Sequence, residues 1–124
     1  MKEFGSKKSF CFVVGIEKSG DFREIDIWAN NKHLTATDNM AYLPQFTASL
    51  ARECEILKST HIPRDYIFLN LGPTTDDFCA RIEEVKGLAH ISFILDNEKF
   101  NIHVSISELR AIYAGVVAFL QAGA

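Results

Sequence analysis

Two runs of alternating apolar residues, joined by a polar turn and leading straight into a capped helix, constrain this chain more than any other stretch. Ala89, Ile91, Phe93 and Leu95 alternate with polar positions, and Phe100, Ile102, Val104 and Ile106 do the same after Asp96-Asn97-Glu98-Lys99. A turn centred on Asn97-Glu98 sets Leu95 opposite Phe100, Phe93 opposite Ile102 and Ile91 opposite Val104. Every apolar side chain then has an apolar partner on one face. Ser105-Ile106-Ser107-Glu108 has the spacing of a capping box, and Leu109, Ile112, Tyr113, Val116, Val117 and Leu120 follow at helical period. The pattern predicts a hairpin and then a helix over about 107–121, each burying the other's apolar face.

The rest of the chain reads in the same terms. Phe10, Phe12, Val14 and Ile16 alternate, Ser19-Gly20 turns the chain, and Arg23, Ile25, Ile27 and Ala29 continue on the return strand. That places Val14 against Ile25 and Phe12 against Ile27. Asn30-Asn31 marks a second tight turn, because Asn tolerates positive φ, and it sets Trp28 opposite His33 and Ile27 opposite Leu34. Asp38-Asn39 offers N-cap chemistry and Pro44 suits a first helical turn. Leu43, Phe46, Leu50, Cys54 and Leu57 form an apolar stripe, leaving Arg52, Glu53, Glu55 and Lys58 for the wet side of a helix over about 42–58. Residues 59–65, with Pro63, read as a connection, Tyr66 to Leu71 as a strand closed by Gly72-Pro73, and Phe78 to Lys86 as a strand with a bulge near Glu83-Glu84. The expectation is one α+β domain over 1–124, with an antiparallel, twisted sheet of about six to seven strands and two helices packed on it. Residues 1–9 are expected to be flexible.

With 48% hydrophobic and 23% charged residues the composition is that of an ordinary globular domain. A net charge of −3 argues against a dedicated nucleic-acid binder, which carries clustered Lys and Arg. The first apolar run, Phe10 to Ile16, is too short for a signal-peptide core, and no run approaches the ~20 residues of a membrane span. The three cysteines, Cys11, Cys54 and Cys79, are widely spaced and read as free thiols of a reducing compartment. A cytoplasmic protein without membrane contact is the expectation.

Chemistry-bearing patterns are few. His90 and His103 fall on the polar face of the last hairpin with Ser92 and Ser105, diagonal to one another in the register above, and no carboxylate or cysteine obviously shares that face. His33 and His61 are isolated. There is no nucleophile elbow, no glycine-rich phosphate loop and no cysteine–histidine neighbour. No catalytic residue, metal ligand or cofactor is assigned. The acidic pairs say more: Glu24 and Asp26 share the polar side of the second strand with Trp28, while Asp76-Asp77 follow the Gly72-Pro73 turn. A large aromatic on a wet face either packs under a loop or marks an interface, and carboxylates around it suit a basic partner.

Ile25-Asp26-Ile27-Trp28-Ala29-Asn30-Asn31-Lys32-His33-Leu34-Thr35, then Asp38-Asn39 and Tyr42-Leu43-Pro44, together with Phe4-Gly5-Ser6-Lys7-Lys8-Ser9-Phe10 and the closing Ser107-Glu108-Leu109-Arg110, resembles the small immunity proteins of bacterial polymorphic-toxin and contact-dependent growth-inhibition systems. The resemblance implies a cytoplasmic, non-enzymatic protein that binds a cognate toxin domain, the carboxy-terminal part of a large secreted effector, and blocks it without turnover. It implies a nuclease with a basic cleft as the partner, and no direct contact with nucleic acid. Glu24, Asp26, Trp28, His33, Asp76 and Asp77 are the expected partner-binding residues. A generic protein- or ligand-binding module, homodimeric through a sheet edge, is the alternative. A small metal-dependent hydrolase built on His90, His103 and a carboxylate from elsewhere is the third.

Overall fold

A computed structural model describes residues 1–59, 62–63 and 66–123, so His61 lies outside the described residues. The fold is α+β with two long helices, and its strands divide between two antiparallel sheets where the sequence pattern predicts one. The first sheet holds β1 (Lys2–Gly5), β2 (Phe10–Ser19), β3 (Phe22–Ala29), β4 (Lys32–His33) and β5 (Met40–Tyr42). The second holds β6 (Tyr66–Phe68), β7 (Phe78–Val85), β8 (Leu88–Leu95) and β9 (Glu98–Ser105). The helices are α1 (Leu43–Lys58), which follows β5, and α2 (Ile106–Gln121), which follows β9.

The division has a local cause. β2 pairs along one edge of β3, while β4 and β5 share the other: Trp28 and Ala29 pair with His33 and Lys32, and Phe22 to Glu24 pair with Tyr42 to Met40. No edge of β3 remains, and α1 carries the chain away before β6 begins again elsewhere. Residues 1–9, expected to be loose, instead supply β1, which pairs with β2 from Lys2↔Val14 to Gly5↔Cys11. Phe4 turns inward onto α2, where Gly115 leaves it room: a Cβ there would stand 3.1 Å from the Phe4 ring.

Turn chemistry corrects the register of the last hairpin. Its centre is Asp96-Asn97, with φ of 51° and 65°, so Leu95 pairs with Glu98, Phe93 with Phe100 and Ile91 with Ile102. A centre at Asn97-Glu98 would have forced Glu98 into the left-handed region that Asp and Asn tolerate better. The shift of two residues keeps the apolar face intact but brings His90 directly opposite His103. The Asn30-Asn31 turn, at φ 52° and 61°, sits where expected. β7 pairs with β8 in unbroken register from Phe78↔Leu95 to Val85↔Leu88, without the bulge expected near Glu83-Glu84; Val85 is simply exposed.

Ser105 caps α2, its hydroxyl accepting the Glu108 N–H at 3.1 Å. Tyr42 is the N-cap of α1 and makes no side-chain cap bond, with Pro44 in the first turn. The expected caps serve elsewhere: Asp38 accepts the Met40 N–H at 3.2 Å, one residue into β5. The two sheets share one core, in which Phe10 and Phe12 of β2 and Phe68 of β6 all touch the ring of Tyr113 on α2.

Glu53 is the largest departure from the helical-wheel reading. It is not on the wet side but buried, 3% exposed, and its carboxylate accepts from the Leu69 N–H (3.2 Å), the Asn70 N–H (3.1 Å) and the Tyr113 hydroxyl (2.8 Å). Those bonds tie α1 and α2 to the end of β6, where Leu69 sits at φ 58°. Burial pushes the carboxyl above its ordinary range; the Tyr113 and backbone hydrogen bonds pull the other way. Among the described residues no helix is long and apolar enough to cross a membrane.

Candidate functional site

The first sheet is interrupted at one end by a bulge. Beyond Val14↔Ile25 the pairing resumes at Lys18↔Arg23, so four steps along β2 oppose two along β3. Arg23 makes the bulge possible. It stands at the apolar parity of β3, is buried, and donates from Nε to the Gly15 carbonyl at 2.6 Å and from Nη2 to the Ile16 carbonyl at 3.4 Å. The ring of Phe119 from α2 lies 5.2 Å from its guanidinium carbon. With those carbonyls drawn to Arg23, the β2 backbone turns over locally. Ile16, inward by alternation, points to solvent and is 75% exposed.

The result is an open groove of about 430 Å³ lined by Met1, Ile16, Glu17, Lys18, Glu24 and Met40. Phe22 and Tyr42, paired across β3 and β5, continue the surface, their ring centroids 5.5 Å apart and each side chain 44% exposed. Both methionines of the chain line this groove. Flexible, polarizable thioethers suit a surface that must adapt to what it covers. Bulges recur beside functional sites because they re-aim side chains in this way.

The structure divides the six expected partner-binding residues among three places. Glu24 lies in the groove. Asp26, Trp28 and His33 form a cluster further along the same face. Asp26 is buried and its carboxylate is engaged inside the protein: Oδ1 accepts from His33 Nε2 at 2.6 Å and from Thr35 Oγ1 at 2.9 Å, and Oδ2 accepts from Asn39 Nδ2 at 3.4 Å. It holds the β4–β5 connection against β3 and is not a free docking carboxylate. Trp28 is half-buried, stacked on the His33 ring at 4.5 Å with the Lys7 ammonium 4.7 Å from its ring. Asp76 and Asp77 are exposed in the turn that leads into β7, in a shallow hollow with Cys79, Ile94, Asp96 and Asn97.

Nothing in the apolar pattern reveals the groove, because Ile16 obeys alternation. The available signal was Arg23, a charged residue at a buried parity beside a glycine-containing strand. His90 and His103 face each other on the outside of the second sheet, and among the described residues no group of three or more His, Cys, Asp or Glu is arranged to hold a metal ion. No family model matches the chain, and no curated protein or solved structure matches it significantly.

Proposed function

We propose that this chain is an immunity-type binding domain, one that covers a toxin domain and blocks it by occupancy without turning anything over. The observation that carries the reading is the exposure of Ile16 and Met40 in the groove at the bulged end of the first sheet, with the exposed pair Phe22 and Tyr42 beside Met40 on the same face. Contiguous exposed apolar side chains rimmed by polar residues mark interaction sites. Glu17, Glu24 and Lys18 line the same groove, and Lys18 is turned to the Gly123 carbonyl at 2.9 Å, so two carboxylates are left to meet a basic partner with apolar anchors, as the rim of a nuclease cleft would be. The family resemblance of the β3–β4 segment and of both chain ends points to the same class of partner.

Growth rescue tests the reading. The carboxy-terminal domain of a large secreted effector encoded immediately upstream is expressed inducibly, with and without this chain. Restored growth with wild type, lost with Ile16→Asp in a protein that still folds, is the expected outcome. Toxicity unaffected by the wild-type chain would remove the proposal.

A further inference from the structure

Antiparallel neighbours placed directly opposite each other keep their Cβ atoms about 4.5–5.5 Å apart, and β8 and β9 hold two imidazoles in that relation. His90 pairs with His103, and their ring centroids are 4.2 Å apart with planes inclined at 36°. The pair stands on the outer, open face of the second sheet, His103 exposed and His90 half-exposed. Glu83 on β7 lies next to His90 in the same cross-strand row, and Arg81, Ser92 and Asn101 form the adjoining row. Together these residues line a shallow polar hollow of about 190 Å³.

We infer that His90 and His103 form a two-imidazole clamp for a late first-row divalent ion, of the class Cu²⁺, Ni²⁺ or Zn²⁺. Imidazole nitrogens bind these ions at about 2.0–2.1 Å, so two that share one ion stand about 3 Å apart. Rings already 4.2 Å apart reach that separation by side-chain rotation, because the ladder on both strands fixes the backbone. The Glu83 carboxylate beside His90 is placed to balance the charge or to accept an imidazole N–H from outside the ligand set. With two protein ligands the ion keeps open positions toward solvent, where water or a side chain of a bound partner completes the set. Affinity follows the order Cu²⁺ > Ni²⁺ and Cu²⁺ > Zn²⁺ expected for nitrogen sites. Of the charged side chains in the hollow, Glu83 favours the cation and Arg81 opposes it.

The test uses the full chain, isotope-labelled and free of added tags. CuCl₂ at substoichiometric levels should broaden the ring and amide signals of His90 and His103 first. Titration with NiCl₂ should give one equivalent bound, weakened beyond about ten-fold by His103→Asn or His90→Asn and less by Glu83→Gln. Circular dichroism of the metal-free variants checks the fold, and the broadening map on wild type stands whether or not a variant folds. Broadening centred on His33, His61 or the amino terminus, unchanged binding in both asparagine variants, or no binding at millimolar metal would each overturn the clamp.

Discussion

Glu53 joins three elements through one carboxylate, and removing it should be felt across the domain. In Glu53→Ala the Leu69 N–H, the Asn70 N–H and the Tyr113 hydroxyl lose their acceptor together. Each buried donor left without a partner costs about 1–3 kcal/mol. Part of that sum is returned, because burial disfavours the charged carboxylate, the same cause that pushes its pKa up. The expected net loss is about 3–4 kcal/mol, which for a domain of this size lowers Tm by about 10–15 °C. Tyr113→Phe removes only one of the three bonds and should cost about 1–2 kcal/mol.

The pH dependence has a definite sign. A carboxyl whose folded pKa lies above its unfolded value keeps its proton more tightly in the native state. Its contribution to stability is fully present below the ordinary value of 4.5 and is lost as pH rises through the raised folded pKa. The stability of wild type relative to Glu53→Gln, which cannot ionise, should therefore fall as pH increases from 4.5 and then level off. Urea unfolding followed by the single tryptophan, Trp28, at a series of pH values measures both effects. A Glu53→Ala protein within about 1 kcal/mol of wild type, or a wild type that gains stability relative to Glu53→Gln as pH rises, would refute this account of the core.

Three further outcomes follow from the same geometry. Asp26→Ala should cost about 2–3 kcal/mol and speed amide hydrogen exchange at Leu34, since His33, Thr35 and Asn39 all donate to that carboxylate. Arg23→Met should lose about 1–2 kcal/mol in thermal melts, because the Gly15 and Ile16 carbonyls lose their donor and the bulge with them. Asn97 sits at φ 65°, so Asn97→Val should cost about 1–2 kcal/mol while Asn97→Gly is neutral or stabilising, read as shifts in the urea midpoint.

Alternation made the faces legible: Phe12 against Ile27, Val14 against Ile25 and Trp28 against His33 pair as their spacing predicts. Register depends on which residues accept positive φ: a centre at Asn97-Glu98 gives Leu95 the apolar partner Phe100, whereas the observed centre sets Leu95 opposite Glu98 and places only Asp96 and Asn97 at positive φ. The division into two sheets turns on β5, three residues too short to register as a strand, whose pairing with Phe22 to Glu24 closes the last edge of β3. Glu53 escaped because burial of a carboxylate is decided by donors far along the chain, at Leu69, Asn70 and Tyr113. The groove escaped for the same reason. Ile16 is turned outward by a hydrogen bond from the side chain of Arg23, and no periodicity encodes that.

The most direct measurement is a calorimetric titration of the carboxy-terminal domain of any large secreted effector encoded immediately upstream into wild type, into Ile16→Asp/Met40→Asp and into Asp76→Ala/Asp77→Ala. Substitutions at exposed Ile16 and Met40 should leave the fold within about 0.5 kcal/mol of wild type, so any change reads binding. The account predicts one-to-one binding that weakens by about 30-fold or more in the groove variant and holds within about three-fold in the Asp76/Asp77 variant. Equal affinity in wild type and the groove variant, or no binding by wild type, would contradict it.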